Sequence, residues 1–235
     1  MRVFVDLHIH SCLSPCGDAL MTPNNIVNMS MLKGLDIIAV ADHNSAKNLP
    51  AIKKVCDEVG VLLLPAMELT TQEEAHLLSY FPTVEQACAF SDEIYPFLPP
   101  IKNRASIFGE QQVMNEEDEQ IGTEEKLLIS ALDLSIDELV TRIHAAGGLA
   151  VPAHINRGNN GLLNVLGFLP PGMPVDAVEV ARAMPCMADV SSLRVLHSSD
   201  AHYLENILEA EFDLHIPERS VEALFEWIKS GFKQW

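Results

Sequence analysis

The sequence predicts an α/β fold around a parallel sheet, and three observations in its N-terminal third predict it. Three apolar runs, VFVDLHIH, LDIIAVADHN and VLLLPAMEL, are rich in β-branched residues and have the length of buried strands. Two stretches with helical spacing, NNIVNMSMLKG and PAIKKVCDEVG, separate them, giving the alternation of parallel strands with crossover helices. Each apolar run also ends on residues that can bind metals or move protons, and a parallel sheet gathers the carboxyl ends of its strands on one rim.

The elements follow in order. Val3-Phe4-Val5 leads a strand into DLHIH, and Thr22-Pro23 supplies the cap and first-turn proline of a helix that Gly34 ends. The run LDIIAVADHN is a buried strand, the next helix closes at Gly60, and Glu68 falls near the end of the third strand. The later runs AHLLSYF, LAVPAHIN, VDAVEVAR and RVLHSSDAH repeat the arrangement, with His76, His154, Asp200 and His202 as their polar punctuation. GEQQVMNEEDEQIGTEEK (109–126) is dense in acids and poor in large apolar residues, which predicts a solvated excursion. Ser135 and Glu138 form a capping box, and Ile136, Leu139, Val140 and Ile143 keep helical spacing up to Gly147-Gly148. His144 belongs to that helix rather than to a site. SVEALFEWIKSG predicts a last amphipathic helix on the outside of the sheet. No repeat or linker divides the chain, so a single domain over residues 1–235 with the excursion around 109–126 is expected.

With 48% hydrophobic and 20% charged residues the chain has the composition of a folded protein with a sizeable core. Acidic residues outnumber basic ones 33 to 15, for a net charge of −18. Such a field repels phosphate backbones and anionic lipid, so neither a membrane nor a stable nucleic-acid complex is expected. The expected partner is a small phosphorylated substrate, nucleotides and short oligonucleotides included. The N-terminus lacks the apolar core of a signal peptide and no stretch approaches a membrane span, which places the expectation in the cytoplasm. The 5 cysteines form no CxxC pair, so they read as reduced thiols rather than a disulfide framework or structural zinc site.

On a strand, residues i and i+2 share a face, so His8 and His10 present two imidazoles side by side, as a divalent ion needs. Carboxylates from neighbouring strands complete such sites, and Glu68 and Asp200 are placed to provide them. Asp200-Ala201-His202 repeats the same-face spacing, and Asp42-His43 and His76 stand at equivalent strand ends. Asp6 and Asp42 adjoin candidate ligands and read as groups that orient them or form buried turns. His197 and His215 read as structural or remote.

These motifs, DLHIH, ADHN, the Glu68 strand end, HLLSYF, PAHIN and SSDAH, resemble in order those of the polymerase and histidinol phosphatase (PHP) superfamily of metal-dependent phosphoesterases. The resemblance implies a distorted (β/α)7 TIM-like barrel with two to three divalent metals, zinc, manganese or iron, at its C-terminal rim. It implies that His8, His10, Glu68 and Asp200 hold one metal, and that Glu68 bridges to a second held by His76 and His154. His43 and His202 take a third. The family's pattern often adds an Asp in a Ser-Asp-Gly context after HxH. Here that stretch is SPCGD, where Asp18 is the nearest carboxylate and Cys16 a second candidate. Glu68, Asp200 and Arg157 carry catalysis in this expectation, with Arg157 reaching the substrate phosphate from beyond His154.

Paired metals suit phosphoester hydrolysis, since they activate water, neutralise phosphoryl oxygens and steady the leaving group without a serine or cysteine nucleophile. The function expected is hydrolysis of a phosphomonoester or phosphodiester. The alternatives are a regulatory or assembly module that binds metal without catalysis, and an amidohydrolase-like hydrolase.

Overall fold

The computed structural model describes residues 1–211 and 213–231. In chain order its elements begin with β1 (Arg2–Ile9), α1 (Pro23–Leu32), β2 (Ile37–Val40), α2 (Leu49–Val59), β3 (Leu62–Leu63), β4 (Ala66–Thr70) and β5 (His76–Tyr80). There follow α3 (Val84–Ile94), α4 (Ala105–Phe108), β6 (Gln112–Met114), β7 (Gln120–Thr123), α5 (Ile136–Ala145) and β8 (Leu149–Pro152). The remaining elements are α6 (Leu162–Leu166), β9 (Val178–Glu179), β10 (Val195–Leu196), β11 (Asp213–His215) and α7 (Val221–Lys229).

The fold is mixed α/β. The expected parallel pairing holds for β1–β2–β3 and for β9–β10, while β11 lies antiparallel on the far edge of β1. It fails at β4–β5–β8, where both pairings are antiparallel. The cause is the connection Thr71–Ala75, which is too short for a crossover and folds back as a hairpin, with Thr71 N–H donating to Ala75 O at 2.9 Å. The single strand expected over VLLLPAMEL also divides, because Pro65 has no N–H to give a ladder and separates β3 from β4. The strands form 4- and 3-stranded sheets and two 2-stranded ones, joined by isolated parallel bridges at Ile9–Ala201 and His43–Glu68. No closed barrel is found among the described residues.

The helices begin and end where their caps predict. Thr22 caps α1, Gly60 ends α2 in the left-handed region at φ 80°, and the Ser135–Glu138 capping box opens α5. Their apolar faces pack on the sheets in a core containing Ile26, Ile52, Val55, Phe81, Phe90, Leu139 and Ile143. A second core of Val5, Leu7, Ile37, Leu78, Tyr80 and Val151 is closed by Leu224, Phe225 and Ile228 of α7. The Tyr80 hydroxyl, buried there, donates to Leu7 O at 2.9 Å and so leaves no orphaned polar group.

Residues 109–126 are more ordered than a solvated excursion. They carry the β6–β7 hairpin, and Asp118 accepts from Asn24 N–H at 3.0 Å and from the Thr22 hydroxyl at 2.6 Å, holding the start of α1. Gln112 N–H donates to Cys12 O at 2.9 Å, which ties the hairpin to the loop after β1. Glu124 is buried with the Lys47 ammonium and the Tyr95 hydroxyl as its partners. No helix among the described residues is long and apolar enough to cross a membrane.

Candidate metal centre

Backbone pairing brings the candidate residues together. Residues 200–202 lie along the end of β1, with His10 N–H donating to Ala201 O at 2.9 Å and Ala201 N–H to His8 O at 3.3 Å. The end of β2 is tied to β4 in the same way, through Glu68 N–H to Asp42 O at 3.1 Å and Asn44 N–H to Glu68 O at 2.9 Å. His76 starts β5 rather than ending it. Because β5 runs antiparallel to its neighbours, its start falls at the same rim, and Ala153 N–H, donating to His76 O at 3.0 Å, brings His154 alongside. His154 (φ 27°), Asp200 (φ 53°) and Asn44 (φ 50°) all hold left-handed backbones that non-glycine residues rarely adopt, strain that concentrates where a site over-determines geometry.

Glu68, 1% exposed, is the centre of the arrangement. Its Oε1 lies 2.8 Å from His76 Nδ1, 3.1 Å from His154 Nε2 and 3.4 Å from His8 Nε2. Its Oε2 lies 3.3 Å from both His10 Nε2 and His43 Nδ1. Asp200 Oδ1 is 3.0 Å from His10 Nε2 and 3.4 Å from His8 Nε2. Three groups of potential ligand atoms lie within 4.8 Å of one another: His8, His10, Glu68 and Asp200; His43, Glu68 and His76; and His10, Cys16, His43 and His202.

Two features of this geometry fit a divalent cation better than a hydrogen-bonded network. His43 Nδ1 and His76 Nδ1 approach Glu68 closely yet make no hydrogen bond, whereas His154 bonds to Glu68 Oε1 through Nε2 at 3.1 Å and its other nitrogen, Nδ1, is buried without a partner. Convergence without hydrogen-bond alignment is what ligands around a common ion show. The tautomers point the same way. His8 Nδ1 is 3.1 Å from Glu179 Oε2, and a carboxylate only accepts, so Nδ1 carries its proton. His10 Nδ1 donates to Ser14 Oγ at 3.0 Å, since the Ser14 hydroxyl spends its own hydrogen on Asp42 Oδ1 at 2.6 Å. The Nε2 atoms of His8 and His10 then face each other at 3.2 Å between two carboxylates, an arrangement that requires positive charge, from protons or from a cation.

The titration behaviour expresses the same demand. Burial pulls the His8 imidazole down, but Glu179, Glu68 and Asp200 outweigh it and raise it well above its ordinary value. His10, buried alike, is raised to about 9 by Asp200 and Glu68. Burial pushes the Glu68 carboxyl up, yet the imidazoles of His76, His8 and His43 hold it well below the usual carboxylate range. His43 is driven well below its ordinary value, and His202 down to about 4, by burial first and by neighbouring imidazoles after it.

Every candidate from the strand ends, His8, His10, His43, Glu68, His76, His154, Asp200 and His202, lies on this rim. It opens into a cleft of about 590 Å³ also lined by Cys16, Arg157, Asn160 and Met184. Arg157 is 39% exposed at its side chain and pairs with Asp200 Oδ2. Asp18 stands apart from all three groups, its Oδ1 accepting from Leu20 N–H at 2.9 Å in a local turn, and Cys16 lies in the group with His10, His43 and His202. His144 pairs with Asp176, His197 bonds to Val180 O, and His215 is exposed near Asp213.

Asp6 accepts from Ser199 and Leu208 N–H groups at 3.0 Å and so anchors the segment that carries Asp200. Sequence reasoning missed Glu179 and Ser14, which fix His8 and His10. The signal for Glu179 was a lone carboxylate inside the apolar run VDAVEV, where an unpaired charge is costly. A larger, mostly apolar groove of about 700 Å³, lined by Leu163, Phe168, Met173 and Leu193, shares no residue with the cleft.

No family model matches the chain. Over 76 residues it is 33% identical to an uncharacterized protein of Methanocaldococcus jannaschii, spanning 29% of this chain and 44% of that protein. Over 69 residues it is 29% identical to a 5'-3' exoribonuclease of Haemophilus influenzae, 29% of this chain and 24% of the enzyme. The chain thus spans less than half the length of these relatives. Among solved structures, the lesion-specific endonuclease Q of Pyrococcus furiosus superposes with a TM-score of 0.71 at 21% identity, over 98% of this chain and 56% of that one. A protein of Bifidobacterium adolescentis described as a metal-dependent phosphoesterase superposes at 0.58 and 20% identity, over 85% and 87% of the two chains. An amidohydrolase of Chromobacterium violaceum with bound sulfate superposes at 0.59 and 17% identity, over 95% and 96%.

One expectation is corrected by these structures. The expectation is a small phosphorylated substrate, from the phosphoesterase resemblance, and no stable nucleic-acid complex, from net charge. Endonuclease Q, on a fold that covers 98% of this chain, is seen in complex with a 27-mer duplex whose abasic lesion is at its active site. Net charge describes the far field and does not decide what a local cluster of side chains binds.

Proposed function

We propose that this chain is a metal-dependent phosphodiesterase acting on nucleic acid, with its reaction centre at the cluster around Glu68. The observation that carries the reading is the buried Glu68 carboxylate ringed by five imidazoles, of which His43 Nδ1 and His76 Nδ1 approach it without making a hydrogen bond. Support for the substrate class comes from the fold shared with endonuclease Q and from the local likeness to 5'-3' exoribonucleases. The isolated bridges at Ile9–Ala201 and His43–Glu68 support reading the sheets as parts of one distorted barrel of the PHP type.

His8, His10, Glu68 and Asp200 would hold one divalent cation, and Glu68, His76 and His154 a second. The imidazole-rich donor set suits zinc, iron or manganese. Such cations, when bound, polarise phosphoryl oxygens and lower the pKa of water near neutrality. The chain's own residues do the rest. Glu179 keeps the proton of His8 on Nδ1, and the Asp42–Ser14 pair does the same for His10, so both Nε2 lone pairs stay turned to the centre. Arg157, paired with Asp200 at the mouth of the cleft, offers forked N–H donors to a non-bridging phosphate oxygen.

The test is strand cleavage by the purified protein on abasic-site duplex DNA, undamaged DNA and 5'-phosphorylated RNA, with Mn²⁺, Zn²⁺ or Fe²⁺. Cleavage that chelation abolishes, metal restores and Glu68→Gln removes is the expected result. Protein that binds metal yet cleaves none of these polymers would overturn the proposal.

A further inference from the structure

We propose that a pocket beside the metal rim, with Tyr203 as its stacking platform, receives the nucleobase next to the phosphodiester held at that rim. The proposal rests on the nucleic-acid reading above and concerns a binding site outside the cluster around Glu68. The pocket, of about 320 Å³, is lined by Cys16, Asp18, Gly109, Glu110, Gln112 and Tyr203 among others. Cys16 also lines the metal cleft, so a single side chain stands between the two spaces, and Tyr203 directly follows His202 of the rim. Phosphate and base of one nucleotide are joined through a single sugar, so adjoining spaces suit the two ends of one nucleotide.

The lining selects a neutral, flat ring. Asp18 and Glu110 are carboxylates and no lysine or arginine lines the pocket, so it repels a phosphate, in contrast to the cleft that holds Arg157. Tyr203 is 49% exposed, and among the described residues no hydrogen bond, ion pair or ring contact holds its side chain. An open aromatic ring beside a phosphate-binding centre is what base stacking uses, and it accepts any base because each has a π-face.

The walls are fixed before anything binds. Gln112 N–H donates to Cys12 O at 2.9 Å and Asn48 Nδ2 to Gln112 O at 3.1 Å, which pins the β6–β7 hairpin to the loop after β1. A Cβ on Gly17 would collide with the Ser11 carbonyl, and one on Gly109, at φ 98°, with the Pro15 carbonyl, so both walls need glycine to pack this closely. Tyr203 O accepts from Asn206 N–H at 3.0 Å, and Lys33 Nζ, donating to Glu205 O at 2.9 Å and Ile207 O at 2.5 Å, holds the turn behind the tyrosine. A platform set in advance loses little freedom on binding. The acidic segment 109–126 thus supplies one wall of the pocket through Gly109, Glu110 and Gln112.

The experiment mixes the metal-loaded full chain with DNA and RNA pentanucleotides that carry 2-aminopurine at each position in turn, and follows the fluorescence in a stopped flow. It then measures kcat and KM for these strands and for strands with an abasic tetrahydrofuran residue in place of the quenched base. The wild type and Tyr203→Phe should quench one position. Tyr203→Ala should lose the quench, bind metal with unchanged stoichiometry and raise KM by about 5- to 150-fold, the range that one base–aromatic stack gives, with most of the loss in KM rather than kcat. On the abasic strand the wild type should already show the higher KM and Tyr203→Ala should add nothing, whereas a merely structural tyrosine would penalise both strands alike. Cleavage with no position quenched, or with the same KM for Tyr203→Ala as for the wild type, overturns this proposal and leaves the proposed function standing. Quenching that Tyr203→Ala abolishes, without cleavage of any strand, overturns the proposed function and leaves the base pocket standing. A wild type that neither quenches nor cleaves overturns both.

Discussion

Glu179→Gln tests whether the carboxylate behind His8 tunes the metal centre. Glu179 accepts from His8 Nδ1–H, with oxygens at 3.1 and 3.2 Å, and from His154 N–H at 2.9 Å. It is buried, and two elements that carry candidate ligands converge on it. Glutamine preserves the shape but has one acceptor oxygen in place of two and no charge. A hydrogen bond to a charged group contributes about 1.5–3 kcal/mol, and about 1.4 kcal/mol is tenfold in affinity, so divalent-cation binding should weaken by roughly 10- to 150-fold. Carboxylates behind metal-bound histidines have effects of this size. The assay is competition for zinc against a chelator of known affinity, with a thermal melt to confirm that the variant folds. Affinity within about twofold of wild type would refute the reasoning, because it would mean that His8 does not need Glu179 to present Nε2.

The remaining predictions probe the charge balance, the fold and the substrate. His10 is raised from 6.5 to about 9, so in the chelated chain its contribution to stability is complete below about 6.5 and is lost as pH rises through about 9. Cation affinity runs the other way, tightening as pH rises towards 9 because the ion displaces that proton; affinity flat from pH 6 to 9 would contradict this. Phe81→Ala, which empties a fully buried site 5.1 Å from the Phe90 ring, should cost about 3–5 kcal/mol in urea unfolding, and less than about 1 kcal/mol would contradict the packing described. Asp118→Ala removes the acceptor that holds the start of α1 through Asn24 N–H and the Thr22 hydroxyl and should cost about 0.5–2 kcal/mol, with faster proteolysis of residues 109–126 as the check. Binding of an oligonucleotide should collapse on chelation yet fall with monovalent salt with a log–log slope of only about −1 to −2, as one or two phosphate contacts give.

Much of the rim was legible because each candidate ligand interrupts or ends an apolar run, where a buried polar group needs a reason. What stayed illegible was direction. AHLLSYF reads the same in either orientation, and His76 reaches the rim only because β5 is antiparallel. The clue was the length of TTQEEA, since a parallel return cannot be made in so few residues. The SPCGD stretch misled for a different reason. A search for charge selects Asp18, but the turn through Gly17 presents residue 16, and turn geometry of that kind depends on the Ser11 and Pro15 carbonyls rather than on composition. In residues 109–126 the density of acids masked a hairpin, because several of those acids are spent on named partners, Asp118 on Thr22 and Asn24, Glu124 on Lys47 and Tyr95, and Glu116 on Lys54.

A net charge of −18 and a polyanionic substrate are compatible because the acids of this centre are not surface acids. Asp6 spends its oxygens on the N–H groups of Ser199 and Leu208, Asp42 on Ser11 and Ser14, and Glu179 on His8 and the backbone of His154. Glu68 and Asp200 face imidazoles, and Asp200 also pairs with Arg157. Glu68, Asp200 and Glu179 thus face imidazoles or Arg157 within a few ångströms, which offsets their charge locally, while Asp6 and Asp42 are held by neutral donors behind the cluster. The exposed carboxylates elsewhere act over a Debye length of only about 8 Å at physiological salt. A phosphodiester at the mouth therefore meets Arg157 and whatever positive charge the imidazole and carboxylate cluster holds, and the local balance rather than the sum decides whether it binds.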